Sequence, residues 1–303
     1  MKAIICTKYG APEVLEIHEI AQPVPKDNEV LIKIHATTVT SGDVTIRAAK
    51  GPVLYRLPMR IILGFTRPRQ PVLGTELSGV VEAVGKNVTR YEKGDPVFAF
   101  NGMRLGAYAE YICLPEDGMI SIKPSNVSYE EAAAVLFGGT TALHFFRKGN
   151  IRPGLKVLIF GASGASGSSA VQIAKHYGTE VTGVCSTANV ELVKSLGADD
   201  VMDYKKEDFT ESGKKYDIIF DAVGKISKSR CKKALAQDGV FLTVNGQGIV
   251  KERVEDVTFI KKLMEAGELK AVIDRAYPME QVREAHRYVD QRHKKGNVVL
   301  KMI

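Results

Sequence analysis

Short apolar runs separated by glycine and proline make roughly the first 120 residues of the chain β-rich in pattern. The run Val30–Ala36 alternates in part, as a strand with one buried face does. Three further apolar runs, bounded by glycine or by a Gly-Asp-Pro turn, are also predicted as strands: Gly79–Gly85, Gly94–Phe100 and Gly106–Ile112. Short strands separated by glycine and proline predict a compact, barrel-like β domain.

After Pro124 the pattern changes to alternating strands and helices. Ser128 can cap a helix there, and Glu131, three positions on, completes a capping box. The apolar runs that follow are Val157–Phe160, Val181–Cys185, Ile218–Phe220 and Val240–Val244, and the helical segments between them are Ser168–Tyr177, Asn189–Leu196 and Ser227–Ala236. This order predicts an α/β domain with a parallel sheet and helices on both of its faces.

The C-terminal region adds another helix and then a strand–helix–strand pattern. Its segments are Val257–Ala266, Ala271–Ile273, Met279–Asp290 and Val298–Met302. We expect the last three segments to join the β domain. That domain would then be discontinuous, with residues 1–122 and 273–303 flanking a second domain of residues 123–272.

Composition and charge narrow the class of protein. The 303 residues are 45% hydrophobic and 25% charged, which is ordinary for a globular chain. The net charge of +7 suits anionic ligands such as phosphorylated cofactors but is modest for a nucleic-acid-binding protein, so no nucleic-acid partner is expected. No apolar run is long enough for a membrane span. Four scattered cysteines without a C-x-x-C motif indicate neither disulfides nor a zinc knuckle and fit a cytoplasmic protein.

A glycine-rich turn carries the strongest chemical signal. The run ending at Phe160 leads into a turn with the spacing A-x-G-x-x-G, and a helical segment follows at once. This is the strand–turn–helix context of a dinucleotide fingerprint, in which the glycines admit a pyrophosphate and the helix N-terminus holds the phosphates. The residues of the turn are Ala162, Ser163, Gly164, Ala165, Ser166 and Gly167. The alternative is a plain strand–helix turn without a ligand.

Together with other segments in the same order, this turn resembles the medium-chain dehydrogenase/reductase superfamily, and within it the zinc-free quinone-oxidoreductase branch. The matching segments are Met1–Ile4, Pro71–Val81, Gly94–Val97, Gly106–Tyr111, Gly139–Ala142, Leu196–Asp199, Asp221–Gly224 and Gly296–Leu300. The resemblance implies a GroES-like β-barrel domain built from both chain ends, a doubly wound Rossmann domain between them, and a nicotinamide cofactor. It also places further residues at the cofactor: Thr141, Ala222, Val223, Gly224, Asn245 and Asn297.

The sequence lacks the metal ligands of the zinc-dependent relatives. Where the resemblance puts a cysteine and a histidine ligand, the chain has Thr40 and Thr75, and the third position falls within residues 136–138, Leu-Phe-Gly. A catalytic zinc needs three protein N, S or O ligands, and a threonine hydroxyl is a poor substitute. His286 and His293 are interpreted as surface histidines, since no third ligand accompanies them. We therefore predict no metal.

The end of the second Rossmann strand distinguishes NAD from NADP. An acidic residue there binds the ribose 2′-hydroxyl and repels a 2′-phosphate, and Val184–Asn189 contains none. The hydroxyls of Ser186 and Thr187 and the amide of Asn189 can hydrogen-bond a phosphate. Tyr204 lies where many relatives pack a tyrosine near this phosphate. The sequence therefore predicts NADPH. In the alternative interpretation, Ser186 and Thr187 only cap the next helix.

Direct hydride transfer is the expected reaction. Without a metal, the protein orients the substrate, excludes water and hydrogen-bonds a developing oxyanion. Quinones and α,β-unsaturated carbonyls suit this reaction because they delocalise the charge. Relatives often carry the motif N-x-x-D-x-Y-x-R in the loop over the nicotinamide, where this chain has Thr40, Asp43, Thr45 and Arg47. The resemblance therefore makes Thr40, Asp43 and Thr45 the candidate catalytic residues, with Thr40 able to hydrogen-bond the substrate or the nicotinamide. Because Thr45 replaces the tyrosine, one possible proton donor is missing and water is the expected proton source. Asp43 either takes part in catalysis or holds its loop through backbone hydrogen bonds.

A basic segment, residues 44–75, borders the substrate entrance in relatives. It has no acidic residue before residue 76 and contains six basic ones: Arg47, Lys50, Arg56, Arg60, Arg67 and Arg69. One interpretation is a lipophilic pocket with a basic mouth, which favours lipophilic or anionic enones and quinones. The other is a solvated basic loop over apolar packing.

The chain is shorter than its relatives beyond Val244. Relatives carry a further strand there that edges the Rossmann sheet and often pairs across a dimer, so this sequence leaves monomer and homodimer both open. The predicted function is a zinc-independent, NADPH-linked oxidoreductase for a small quinone or enone. The alternatives are alcohol dehydrogenase-type activity, or a dinucleotide-binding protein with little turnover that serves as a sensor, a structural protein or a nucleic-acid-binding protein.

Overall fold

The chain forms two compact units in the computed structural model, which describes residues 1–49, 61, 63–247 and 250–303. The first unit comprises Met1–Leu136 and Ile273–Ile303, and the second comprises Phe137–Val272. Both ends of the chain therefore belong to one unit, and the second unit is a continuous insertion in it.

The strands and helices of the described residues are numbered in chain order. The strands are β1 Lys2–Cys6, β2 Leu15–Glu19, β3 Glu29–Thr38, β4 Glu76–Val84, β5 Pro96–Phe100, β6 Tyr111–Pro115, β7 Ile120–Ile122, β8 Lys156–Phe160, β9 Glu180–Cys185, β10 Asp200–Asp203, β11 Tyr216–Asp221, β12 Leu235–Thr243, β13 Ile273–Pro278 and β14 Asn297–Lys301. The helices are α1 Ser41–Ala48, α2 Tyr129–Ala133, α3 Leu136–Lys148, α4 Ala165–His176, α5 Val190–Ser195, α6 Lys228–Cys231, α7 Val254–Glu265 and α8 Val282–Asp290.

A seven-stranded sheet forms the body of the first unit. Its order is β13-β14-β3-β4-β5-β7, and β6 pairs with β3. The ten-residue β3 serves two partners on one edge, since its first five residues pair with β6 and its last three with β14. Side chains from the strands and from α8 form one core, which includes the fully buried Ile4, Ile32, Leu77, Ala285 and Val298.

Residues 123–136 pack with the first unit, although the sequence predicted the domain boundary after residue 122. The Ser78 hydroxyl on β4 donates to the Tyr129 carbonyl over 2.5 Å. The Asn297 amide at the start of β14 donates to the Ala134 carbonyl over 2.7 Å. These bonds attach α2 to two strands of the first sheet, so the unit continues to residue 136.

A five-stranded parallel sheet forms the second unit, with the order β10-β9-β8-β11-β12. The first strand of the unit, β8, is central, and the chain proceeds outward on one side before it crosses to the other. In open α/β sheets ligands bind at the carboxyl ends of the strands where the order reverses, here between β8 and β11. The predicted α/β architecture is therefore confirmed.

Several predicted elements were wrong in extent. The strand expected at Ala271–Ile273 is Ile273–Pro278, and the strand expected at Val240–Val244 begins earlier, as Leu235–Thr243. The helix expected at Ser227–Ala236 is a single turn, Lys228–Cys231, because Tyr216 donates to the Ala234 carbonyl and draws the following residues into β12. The strand expected at Gly106–Ile112 begins only at Tyr111, since Gly106 has φ +105° and the next three residues are buried without alternation.

Several elements were not predicted at all. The strands β2, β7 and β10 are short, with five, three and four residues, and carry little periodic signal. The helices α1 and α3 were treated as loop or left unassigned because polar and glycine residues interrupt their apolar pattern.

Candidate functional site

The glycine-rich turn is tightly bonded to the neighbouring strand. Gly161 has φ +81°, a left-handed conformation that favours glycine. The amides of Gly161 and Ala162 both donate to the Val184 carbonyl on β9, over 2.9 and 3.1 Å, and the Gly164 amide donates back to the Gly161 carbonyl over 3.0 Å. The turn between β8 and α4 is thus rigid before any ligand binds.

The two spaced glycines of the motif have different steric environments. A Cβ atom at Gly167 would lie 2.1 Å from the Gly161 carbonyl oxygen, so the close approach of α4 to the turn requires glycine there. A Cβ atom at Gly164 would find its nearest neighbour at 3.5 Å, an ordinary contact. The protein itself therefore does not require glycine at 164, whereas a pyrophosphate lying against the backbone does.

The first turn of α4 has the form of a phosphate site. Gly164 is its N-cap and supplies no side-chain cap, so no capping side chain occupies the first-turn amides, which include those of Ala165 and Ser166. Helix α3 packs closely against this turn, because a Cβ at Gly138 would lie 2.5 Å from the Ala165 carbonyl oxygen. Thr141 lies one turn further along α3, with its hydroxyl donating to the Phe137 carbonyl over 2.7 Å. These residues fit a bound pyrophosphate.

Polar side chains from the turn and from the end of β9 meet at one amide. The Asn189 side-chain nitrogen donates to the hydroxyl oxygens of Ser163, over 3.0 Å, and of Ser186, over 3.2 Å. Asn189 is 9% exposed, whereas both serines are only partly buried. Ser163, Ser186 and Asn189, predicted separately for the cofactor, are thus brought together.

The end of β10 adds an acid that sequence reasoning missed. The Thr187 hydroxyl donates to the Asp203 carboxylate over 2.6 Å, and this bond is the main cause that lowers the pKa of Asp203. The Lys205 amide donates to the same carboxylate over 3.0 Å. Tyr204 follows directly and is 52% exposed. Asp203 could have been found as the acidic residue that ends β10, but the sequence did not predict this short strand.

The turn after β11 is organised by another residue that was not singled out, Asp221. Its fully buried carboxylate accepts the amides of Val223, Gly224 and Ile226, over 3.2, 2.9 and 3.0 Å, and the hydroxyl of Thr243. Val223 packs against the glycine-rich turn, since a Cβ at Gly161 would lie 2.6 Å from its side chain.

The remaining predicted residues of this turn are also placed. The Ala222 amide donates to the Phe160 carbonyl over 3.0 Å, which ties the β11 turn to β8. Asn245 lies beside Gly224, whose added Cβ would be 2.8 Å from the Asn245 Cβ. Asn297 lies in the first unit instead, where it is 5% exposed. Apart from Asn297, the predicted cofactor residues therefore line the carboxyl edge of one sheet or its adjoining turns and helix.

Thr40, Asp43 and Thr45 lie at the start of α1 in the first unit. Thr40 and Asp43 form a reciprocal capping box: the Thr40 hydroxyl accepts the Asp43 amide, and the Asp43 carboxylate accepts the Thr40 amide over 2.9 Å and its hydroxyl over 2.6 Å. The other Asp43 oxygen accepts the Gly74 amide over 3.0 Å. Burial raises the pKa of the fully buried Asp43, and these hydrogen bonds oppose the rise. Thr45 is exposed and donates to the Ser41 carbonyl over 2.8 Å.

Arg47 and His286 form a buried network, so the interpretation of His286 as a surface histidine was wrong. Arg47 is 1% exposed and His286 is 0% exposed. Arg47 donates to Asp290 over 2.7 Å and contacts His286 Nδ1 over 3.3 Å, and His286 Nε2 lies 3.2 Å from the Tyr108 hydroxyl. Burial and the Arg47 charge lower the pKa of His286 to about 3. Arg47 thus joins α1 to α8 and does not belong to a basic substrate entrance.

The donor set for a metal can be assessed from the described residues. Within residues 1–49, 61, 63–247 and 250–303, no group of three or more His, Cys, Asp and Glu side chains is arranged to hold a metal ion. Thr75 is 6% exposed, and its hydroxyl has no hydrogen-bond partner in that part of the chain. His293 is exposed.

Much of the predicted basic segment, including Lys50, Arg56 and Arg60, lies outside the described residues. Arg67 and Arg69 are described and exposed, and with Phe65, which is 59% exposed, they border a groove of about 630 Å³ in the first unit. Across the described helices, none is both long and apolar enough to cross a membrane.

Two family models match the chain. One, the alcohol dehydrogenase GroES-like domain, matches residues 26–124, and the other, zinc-binding dehydrogenase, matches residues 165–286. The 2-methylene-furan-3-one reductase of Solanum lycopersicum is 31% identical over 99% of this chain and 79% of that protein. The quinone oxidoreductase of Homo sapiens is 31% identical over 94% of this chain and 93% of that protein. The chain belongs to the medium-chain dehydrogenase/reductase superfamily.

Further members of the superfamily agree with this assignment. The chloroplastic NADPH-dependent alkenal/one oxidoreductase of Arabidopsis thaliana is 30% identical over 99% of this chain and 79% of that protein. The quinone oxidoreductase structure from Coxiella burnetii superposes with a TM-score of 0.83 at 26% identity, covering 100% of this chain and 99% of that one. An NAD-dependent alcohol dehydrogenase structure superposes with a TM-score of 0.86 at 28% identity over 100% of both chains. The predicted GroES-like and Rossmann-type architecture is confirmed.

Proposed function

We propose that this protein is an NADPH-linked oxidoreductase that reduces a quinone or an α,β-unsaturated carbonyl by direct hydride transfer, without a metal. The observation that carries the proposal is the turn at residues 161–167. Its rigid backbone, the uncapped start of α4 and the open space at Gly164 together suit a pyrophosphate.

Three turns at the carboxyl edge of the second sheet would hold the cofactor. The α4 amides would bind the pyrophosphate, the Ser163–Asn189–Ser186 group would face the adenosine ribose, and the β11 turn at Ala222–Gly224 would border the nicotinamide half. The absence of an acidic residue in Val184–Asn189 supports NADPH, as does the name of the related Arabidopsis enzyme. Asp203 does not counter this, because Thr187 and the Lys205 amide occupy its carboxylate.

The substrate class follows from the donor set of the first unit and from the named relatives. When bound, a reduced nicotinamide supplies a hydride to an electron-poor carbon. Threonines at 40 and 75 cannot replace the thiolate and imidazole that a catalytic zinc needs, so charge on the substrate oxygen must be delocalised or hydrogen-bonded. Quinones and enones delocalise it, and relatives named as quinone oxidoreductase and alkenal/one oxidoreductase support this class.

The residues at the start of α1 would have distinct roles in that reaction. The saturated carboxylate of Asp43 makes it a positioning residue that holds the Thr40 loop to Gly74. The Thr40 hydroxyl donates its hydrogen bond to Asp43 and is therefore not available to protonate the product. Water remains the proposed proton source for the reduced product. A cytoplasmic location and a monomeric or homodimeric state stay predictions.

The test is a turnover panel on the purified full chain. Oxidation of NADPH and NADH is followed by absorbance with quinones, enones and simple ketones, before and after treatment with a metal chelator. We expect turnover of quinones or enones, a higher kcat/KM with NADPH, and no loss on chelation. Activity confined to simple alcohols or ketones that disappears with the chelator would instead establish the alcohol dehydrogenase alternative.

A second candidate function is a dinucleotide-binding protein with little turnover. It is favoured by the lack of a further strand at the β12 edge of the second sheet in the described residues. In the described residues the sheet ends at β12, where Val240 is 37% exposed, and no sixth strand follows. Tight binding of NADPH with no turnover of any panel substrate would support this candidate over the oxidoreductase.

A further inference from the structure

Asn189 connects two segments, distant in sequence, at the proposed adenosine site. Its side-chain nitrogen donates to Ser163, which is in the glycine-rich turn, and to Ser186, which ends β9. The amide is 9% exposed, so it is held inside the protein, whereas the two serines reach the surface.

The direction of these hydrogen bonds determines what the serines can do. An amide nitrogen only donates, so each serine oxygen accepts a bond from Asn189. The serine protons are then left to point elsewhere, and since both side chains are partly exposed, the two hydroxyls are accessible to a ligand as donors. Two neighbouring hydroxyls are thereby set as donors before a ligand arrives.

The other atoms of this group strengthen the point. The Thr187 proton is committed to Asp203 over 2.6 Å, so Thr187 does not compete for the ligand. The Asn189 carbonyl oxygen is buried and has no hydrogen-bond partner among the described residues. A buried acceptor without a partner destabilises the fold, which calls for a compensating role of the amide. The orientation of two serine hydroxyls provides that role.

We propose that Asn189 is the positioning residue that selects a 2′-phosphate on the adenosine ribose, by setting Ser163 and Ser186 as paired hydrogen-bond donors. This inference rests on the proposed NADPH specificity and extends it. A phosphate monoester presents acceptor oxygens, which two O–H donors match, whereas the usual partner of a ribose 2′-hydroxyl is a carboxylate acceptor. Specificity then resides in a buried amide that itself does not contact the phosphate.

The experiment measures binding of two adenosine fragments to the full chain by calorimetry. Adenosine 2′,5′-bisphosphate carries the 2′-phosphate, and adenosine 5′-monophosphate lacks it. Their affinity ratio reports the selectivity without any need for turnover. We expect the unmodified protein to bind the bisphosphate more tightly.

The variant Asn189→Leu is nearly isosteric and removes both donated bonds. We expect it to reduce the affinity ratio by about tenfold, the effect of weakening hydrogen bonds to a charged group. The ratio should fall by a similar factor in the Ser163→Ala/Ser186→Ala double variant, and adding Asn189→Leu to that background should change it little. Asn87→Leu, the same substitution at an exposed site of the first unit, should leave the ratio unchanged.

Three results would overturn the proposal. Equal weakening of both fragments by Asn189→Leu would make the residue only structural. An undiminished effect in the background without the serines would show that it does not act through them. Equal binding of both fragments by the unmodified protein would remove the selectivity itself and the NADPH preference with it. A retained selectivity without turnover would leave this inference intact and would contradict only the proposed reaction.

Discussion

At the residue scale, the two spaced glycines of the 161–167 turn separate folding from binding. Gly167 has no room for a side chain, because its Cβ would lie 2.1 Å from a backbone oxygen. Gly164 has φ −82° and ordinary space, so the fold does not require glycine there, whereas the proposed pyrophosphate does. The motif that looks uniform in sequence therefore contains one position that the fold requires to be glycine and one that we propose binds the cofactor.

We expect Gly164→Ala to fold normally and to lose dinucleotide affinity by more than about tenfold. The poorer N-cap costs about 0.5 kcal/mol, and the lower entropy of the unfolded chain offsets a similar amount. The control is Gly213→Ala, which should keep full dinucleotide affinity but lower the free energy of unfolding by about 1 kcal/mol. The reason is that Gly213 has φ +73°, a conformation unfavourable for alanine even in open space. Melting temperature and calorimetric binding of NADPH check both. Normal binding by the Gly164 variant would contradict the assigned pyrophosphate position.

His286 makes stability depend on pH below neutrality. Its pKa of about 3 in the fold lies below the ordinary histidine value, so the unfolded chain binds a proton that the folded chain does not. The free energy of unfolding is therefore undiminished by this histidine above about pH 6.5. It declines as the pH falls toward 3, by about 1.4 kcal/mol per pH unit. Between about pH 6.5 and 5, we expect a loss of about 2 kcal/mol in urea unfolding.

The matched variant for this prediction is His286→Gln, which does not titrate but can still bond Arg47 and Tyr108. Its pH slope should be shallower than that of the unmodified protein. The raised pKa of Asp43 acts with the opposite sign, but it is present in both proteins and cancels in the comparison. Parallel pH slopes in the two proteins would exclude His286 as the cause.

At the scale of elements, α3 and α7 are held together by a bidentate ion pair. Arg147 donates to both Asp256 oxygens, over 2.5 and 3.0 Å, and Asp256 is 3% exposed. Asp256 also accepts the Arg253 amide at the start of α7. The same carboxylate thus caps one helix and attaches it to another.

Asp256→Ala should destabilise the second unit by about 2–3 kcal/mol. A broken buried pair costs about 3–5 kcal/mol, and the 30% exposure of the Arg147 side chain reduces that figure. The control is Arg287→Ala, which breaks pairs to Glu13 and Glu284 whose side chains are about half exposed, and should shift the urea midpoint much less than Asp256→Ala does. Urea midpoints compare the two, and similar losses would contradict the role of burial.

Helix starts show how local chemistry and wider context compete. The capping box of Ser128 and Glu131 was predicted and is present at α2. The same chemistry at Thr40 and Asp43 begins α1, but the sequence was interpreted there as a catalytic loop. Thr40 had two possible uses, as a cap and as a substrate contact, and only the geometry shows that its hydroxyl is committed to the cap.

At the scale of the whole molecule, burial makes the thiols unreactive. Desolvation is the main cause that raises the pKa of every cysteine to about 11, in both units. At neutral pH only about one thiol in ten thousand is then a thiolate, the reactive form. We expect slow reaction of the native protein with Ellman's reagent and rapid reaction of four thiols per chain in guanidinium chloride.

The partly exposed Cys113 should react first in the native protein, so Cys113→Ser should remove the earliest phase. Rapid stoichiometric labelling of the native Cys113→Ser variant would contradict the burial of the other three. This assay also checks that variants made for other tests keep both units folded.

The resemblance to a known family supplied the GroES-like and Rossmann-type architecture. The sequence by itself determined the α/β alternation and the position of the glycine-rich turn. These depend on local properties: the period of apolar residues, the glycines that a turn requires, and capping residues adjacent to their helices. The residues predicted at the ends of β8, β9 and β11 lie at one edge because parallel strands place their carboxyl ends together.

Only the tertiary structure decided what individual polar side chains do. Arg47 and His286 are 239 positions apart, and the burial of both depends on how α8 packs against α1. The Asn189 amide reaches Ser163 across 26 positions, and the direction of that bond turns two serines into donors. Such roles depend on pairings between distant segments, because burial and hydrogen-bond direction are properties of the packed chain that no local pattern of residues encodes.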